Sequence, residues 1–270
     1  MPRQQLDTGV SLYYEWHGPD AGVPVVFIRG TGADSSRWMP QVRDYSQHYR
    51  CLIFDNRGCG KSGTTAGQYT VASMAEDTLA LLGSLGVDRA HIVGLSLGGA
   101  IAQHLAVERP ELVATLQLHG TWGKTDGYAE RYFALAAQLL DAGGMSLYYS
   151  TTIMFLFPPD FFTEQPEAAA RILADMEENA SPIEGMRGQL HANRTHDCLE
   201  RLNEIAVPTL ITVGELDMCL PPSYSRQLHE RIPSSELVVF PGGSHLFGLQ
   251  DPATFNRVTL GWLEKHDQRS

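Results

Sequence analysis

Short apolar runs alternate along the chain with longer stretches in which apolar side chains recur every three or four residues. The runs at 11–16, 23–28, 51–54, 89–93, 113–118, 209–213 and 237–240 read as strands. The stretches at 38–49, 71–85, 100–109, 223–232 and 252–265 read as helices. In 71–85 the side chains of Met74, Thr78, Leu81, Leu82 and Leu85 share one face, and Thr70 stands where an N-cap is needed. Pro110 stops the helix at 100–109. Strands separated by helices predict an α/β fold: a mainly parallel sheet with helices on both faces.

That rhythm breaks at 121 and resumes at 207. The interval is mostly helical, at 128–141, 167–179 and 182–191, and also holds a Phe-, Met- and Pro-rich run at 150–162. The expected organisation is a core of residues 1–120 and 207–270 with a helical cap, or lid, inserted at 121–206. Such a cap covers the C-terminal edge of the sheet, where open α/β sheets place their pockets. The apolar run is assigned first to packing within the cap and second, as 148–162, to a pocket wall.

Composition narrows the function. The 270 residues are 43% hydrophobic and 19% charged, enough for one large core. A formal net charge of −11 argues against nucleic acid and an anionic membrane as partners, and an anionic substrate would need a local cation. The first residues hold no apolar segment of the signal type, and no 18-residue apolar stretch exists. Cys51, Cys59, Cys198 and Cys219 are scattered and read as free thiols. The expectation is a cytoplasmic protein without a zinc site. The oligomeric state has no signature here.

Between the strand at 89–93 and the helix at 100–109 lies Gly94-Leu95-Ser96-Leu97-Gly98-Gly99. This fits Gly-x-Ser-x-Gly, in which a strand ends in a sharp turn that holds a serine at the tip of the following helix. A serine hydroxyl needs a base to take its proton, and the base needs a carboxylate to fix its tautomer. The strand at 209–213 runs into Gly214-Glu215-Leu216-Asp217, so two carboxylates stand at its end. The last strand runs into Pro241-Gly242-Gly243-Ser244-His245, a flexible loop from which His245 can reach Ser96. Spacing alone leaves Glu215 and Asp217 both open. His91 and His104 read as structural; His191 and His196, with Asp197 and Cys198, read as a solvated face rather than a metal site. Gly58-Cys59-Gly60-Lys61-Ser62 imitates a phosphate loop, but Asp55 stands where a glycine is required and no helix begins at Lys61.

These residues resemble the α/β-hydrolase superfamily, from Ser11 to Trp262. Gly214-Glu215-Leu216-Asp217 with Pro221 matches its acid-loop pattern, and Asp55 to Ser62 matches its Asp-x-Arg-Gly-x-Gly-x-Ser loop. With the elbow and Pro241 to Leu246, the motifs are most similar to 3-oxoadipate enol-lactonases and their esterase relatives. The resemblance implies an α/β-hydrolase fold: a mostly parallel eight-stranded sheet flanked by helices, with an inserted helical cap. It implies that Ser96, Asp217 and His245 are catalytic and that Glu215 is supporting. The oxyanion hole falls to the backbone N–H groups of Leu97 and of Thr31, the latter in Arg29-Gly30-Thr31-Gly32. Arg29 departs from the usual His-Gly, and is read either as a substrate-carboxylate ligand or as an ion-pair partner of Asp55. Gly30, Trp38 and Trp122 complete the expected substrate-binding residues. The implied activity is hydrolysis of a small carboxylic ester or lactone with no cofactor or metal. The alternatives are C–C bond hydrolysis on the same three residues, and a ligand receptor on this fold.

Overall fold

The computed structural model describes residues 2–267. Its elements run β1 (Arg3–Gln5), β2 (Ser11–His17), β3 (Val25–Ile28), a 3₁₀ turn (Ser35–Trp38), α1 (Met39–Tyr45), β4 (Cys51–Phe54), α2 (Val71–Ser84), β5 (Ala90–Leu95), α3 (Leu97–Glu108) and β6 (Val113–His119). Four helices follow: α4 (Gly127–Leu156), α5 (Pro159–Glu164), α6 (Pro166–Glu178) and α7 (Ile183–Thr195). After a second 3₁₀ turn come β7 (Thr209–Gly214), α8 (Pro222–Arg231), β8 (Ser235–Phe240), α9 (Phe247–Gln250) and α10 (Pro252–His266).

The strands form one eight-stranded sheet in the order β1-β2-β4-β3-β5-β6-β7-β8. β1 and β2 pair antiparallel, as do β2 and β4; every other pairing is parallel. β3, β4 and β5 are buried throughout, as expected for strands covered on both faces. Their side chains alternate between two cores. Val26, Ile28, Leu52 and Ile92 pack with residues of α2 and α3, while Val25, Phe27, Ile53 and Val93 pack with Val42 of α1 and Leu263 of α10.

β1 is an edge strand of three polar residues, Arg3-Gln4-Gln5, and carries no alternation that marks it as a strand. It exists because its backbone pairs with β2, from Arg3 opposite Tyr13 to Gln5 opposite Ser11. Thr70 does cap α2, with Ser73 N–H donating to its hydroxyl. α4 through α7 lie in the chain between β6 and β7. α4 is broken at Gly143 and Gly144, whose backbone is non-helical, so two helices meet there at a kink. Its second half continues through the apolar run as far as Leu156. No helix among the described residues is long and apolar enough to cross a membrane.

Candidate active site

Ser96 is the one non-glycine residue with a positive φ among those described, at 55°. The turn is steep because α3 begins immediately after β5 and packs onto β3. A Cβ at Gly98 would stand 2.0 Å from the carbonyl oxygen of Ile28, and one at Gly94 would stand 2.4 Å from that of Gly98. Glycine at both positions is therefore a steric requirement of the elbow. Ser96 N–H donates to His119 O at 2.9 Å, and Thr121 Oγ1 donates to Ser96 O at 2.8 Å. The strained residue is thus fastened to the end of β6.

β7 and β8 bring in the other two groups. His245 Nδ1 and Asp217 Oδ2 are 2.7 Å apart, and both side chains are buried. Asp217 Oδ1 accepts from Leu220 N–H at 2.8 Å, which fixes the carboxylate plane. Glu215 points away from His245: it is exposed, and its Oε2 accepts from Gly242 N–H at 3.0 Å. The geometry thus separates two carboxylates that spacing left equivalent. Asp217 meets the imidazole, and Glu215 ties the acid loop to the histidine loop.

Ser96 and His245 line one cavity of about 150 Å³, together with Gly30, Thr31, Cys219 and Tyr149. Its far walls come from α4 and from the segment after it, through Tyr132, Tyr148, Leu156 and Phe157. The apolar run therefore contributes to the pocket as well as to the packing of the inserted helices. Gly30 lies against the serine: a Cβ there would stand 3.1 Å from Ser96 Cβ.

Trp38 and Trp122 do not line this cavity, contrary to expectation. Trp38 turns inward from the 3₁₀ turn onto Phe27, with ring centroids 5.2 Å apart, and is 2% exposed. Trp122 is fully buried beneath α4, against Phe133 and His196, with its indole N–H on Thr125 Oγ1. Both large rings bury more apolar area in the cores than a water-accessible wall would allow. Arg29 does border the cavity, but its expected pairing with Asp55 does not form. Asp55 instead accepts from the backbone N–H groups of Ser35 and Lys61, both at 2.7 Å.

The loop 29–35 is held from two sides. Below, Asn56 Nδ2 donates to Arg29 O, and Asp55 holds Ser35. From α7 and the residue shortly before it, Ser181, three groups that motif reasoning missed reach toward the loop. Gln189 Oε1 accepts from Gly32 N–H at 2.7 Å, Asn193 Nδ2 donates to Thr31 Oγ1 at 2.9 Å, and Ser181 Oγ donates to Gly32 O at 3.0 Å. No motif marks them, because a buried Gln or Asn in a helix is read from its partners and not from its spacing. Gln189 thereby occupies the Gly32 N–H. Gln189→Leu keeps the volume but strands Gly32 N–H and Arg57 O, the second partner of the amide. Two lost partners predict about 2–4 kcal/mol of destabilisation. Urea titration checks this, and a loss under 1 kcal/mol refutes it.

His196 corrects another expectation. It is 3% exposed and packed against Trp122 and His104, not part of a solvated face, and burial pushes its imidazole down to about 3. Asp197 pairs instead with Lys124, at 2.6 Å. The one group with metal-ligand spacing among the described residues is Asp217, Cys219 and His245, whose ligating atoms lie within 4.8 Å of one another. Burial raises the Cys219 thiol far above its ordinary range, with the Asp217 charge adding to the effect, so the thiolate a metal wants is disfavoured. Lys61 is no phosphate ligand: its N–H is on Asp55 and its ammonium on Tyr13.

The family described as alpha/beta hydrolase fold matches residues 23–252. This chain belongs to the α/β-hydrolase family. It is 32% identical over 257 residues to a provisionally named carbamate hydrolase, RutD, of Azorhizobium caulinodans, covering 95% of this chain and 96% of that protein. The enol-lactonase of Burkholderia xenovorans LB400 superposes with a TM-score of 0.90 at 26% identity, covering 97% of this chain and all of the lactonase. A thermophilic esterase of Thermogutta terrifontis, solved with malate bound, superposes with a TM-score of 0.88 at 26% identity, covering 98% of this chain and 99% of the esterase.

Proposed function

We propose that this α/β-hydrolase is a serine hydrolase that cleaves a small carboxylic ester or lactone through an acyl-enzyme. The observation that carries the proposal is the pairing of His245 Nδ1 with a buried Asp217, on the rim of the cavity that also holds the strained Ser96. In this reading Asp217 keeps the proton on Nδ1, so Nε2 is the base that takes the proton of Ser96 Oγ. The hydroxyl attacks the substrate carbonyl. Charge gathers on the carbonyl oxygen, where Leu97 N–H and Thr31 N–H stabilise it, the former aided by the positive end of α3. His245 then protonates the leaving alcohol or enol, and water releases the acyl group by the same route in reverse.

The predominantly apolar cavity suits a short acyl chain, and the enol-lactonase and esterase neighbours support the bond type. The test is mass spectrometry of the intact protein after a fluorophosphonate probe, with turnover of short-chain p-nitrophenyl esters measured alongside. One adduct, located on Ser96, with ester turnover is the expected result. An unlabelled Ser96 in folded protein overturns the proposal. The RutD relatives favour a second reading, attack by the same serine on a carbamate carbonyl. Ammonia release from a simple carbamate, with ester turnover absent, selects it.

A further inference from the structure

Three charged side chains at this cavity lie outside the proposed mechanism, Arg29, Asp34 and Arg37; Arg37 faces Asp34 and Asp175, while Arg29 faces no acid. β3 ends at Ile28 and delivers Arg29 to the loop that packs on Ser96 through Gly30. The residue is 3% exposed, and it borders both the main cavity and a small adjoining one with room for about one water. Among the described residues its guanidinium has no ion pair and no hydrogen bond, and its Nε is unpartnered. The Trp38 ring lies against it, 5.1 Å from the guanidinium carbon. An aromatic face offsets only part of the cost of desolvating a cation.

The acids that could neutralise Arg29 are committed elsewhere. Asp55 accepts from Ser35 and Lys61, and Asp34 and Asp175 face Arg37. Burial, and then the Arg37 charge, hold the Arg29 guanidinium well below its ordinary range, against the smaller opposing effects of Asp34 and Cys59. A buried, forked, unpaired donor beside the nucleophile is a half-built site for a planar anion.

We infer that Arg29 binds a carboxylate carried by the substrate itself, so that the natural substrate is an anionic ester or lactone with its carboxylate close to the scissile carbonyl. This rests on the serine-hydrolase reading above. The guanidinium fixes the acidic end of the substrate near Ser96, and the apolar wall formed by Leu156, Phe157 and Leu190 takes the hydrocarbon part. The overall acidic surface gives such a substrate no help, and Arg37, the other cation at the cavity, already faces Asp34 and Asp175, so the selectivity falls to Arg29.

The test uses a matched pair, 4-nitrophenyl hydrogen succinate and its methyl ester, which share the reacting ester and differ by the charge and one methyl at the other carboxyl group; enzymatic rates are taken after subtracting the spontaneous hydrolysis of each. The wild type is expected to favour the anion by about tenfold or more in kcat/KM. Arg29→Gln is expected to lower that preference by about 10- to 100-fold, chiefly through KM, and Arg29→Lys to restore part of it. A wild type without preference for the anion overturns the inference, as does Arg29→Gln lowering both substrates equally. Should Arg29→Gln fail to fold, the wild-type preference decides alone. Calorimetric titration of Ser96→Ala with monomethyl succinate against dimethyl succinate reads anion selectivity without turnover. It keeps failure of this inference distinct from failure of the hydrolase reading.

Discussion

Ser96→Ala is expected to lower kcat by about 10⁴-fold or more while leaving the thermal midpoint unchanged within about 2 °C. The hydroxyl is the only group lost, and in the proposed mechanism it is the nucleophile. The backbone strain stays, because alanine keeps the Cβ that makes φ of 55° unfavourable. Ser96→Gly removes that strain as well as the nucleophile. It should abolish turnover and raise stability by up to about 1 kcal/mol, less the extra entropy glycine loses on folding. A paired kinetic and urea-denaturation measurement on the two variants separates chemistry from strain. Residual ester turnover within about 100-fold of wild type in a clean Ser96→Ala preparation sinks the assignment.

Asp217→Asn is expected to cost about 10⁴-fold in kcat with a nearly intact fold. The carboxylate accepts two hydrogen bonds, from His245 Nδ1 and from Leu220 N–H. An amide has one acceptor oxygen. If that oxygen serves Leu220, the NH₂ group faces Nδ1, and the imidazole must carry its proton on Nε2, where a base is needed. Stability should fall by only about 1–2 kcal/mol, the scale of one compromised buried hydrogen bond. Glu215→Gln is the control. Its oxygen still accepts from Gly242 N–H, the residue is exposed, and turnover should stay within about threefold. If Glu215→Gln were the damaging change and Asp217→Asn the mild one, the roles given to the two carboxylates would be reversed.

The contrast between these acids shows how far the sequence reaches. Spacing places both at the end of β7, but only the fold decides that one meets His245 and the other meets Gly242, because the histidine loop arrives from β8. The missed strand β1 has the same origin. Its three polar residues carry no periodicity, and its conformation is set by pairing with β2. Trp38 and Trp122 went astray because an aromatic residue beside a strand end reads equally as pocket or as core. Burial against Phe27 and Phe133 is a long-range fact. Gln189, Asn193 and Ser181 act on a loop about 150 residues away in the chain, beyond any local pattern.

What the sequence determined by itself is whatever short-range sterics and hydrogen-bond periodicity control. The alternation of buried strands and amphipathic helices, the Thr70 cap, and the glycine-flanked elbow at Ser96 all follow from neighbours within a few residues. The tertiary structure alone decided which carboxylate faces the imidazole, which rings line the cavity, that Ser181, Gln189 and Asn193 brace the loop 29–35, and that Arg29 is left without a partner. Those outcomes depend on segments far apart in sequence competing for the same buried space and the same donors. That competition is settled only when the chain closes on itself.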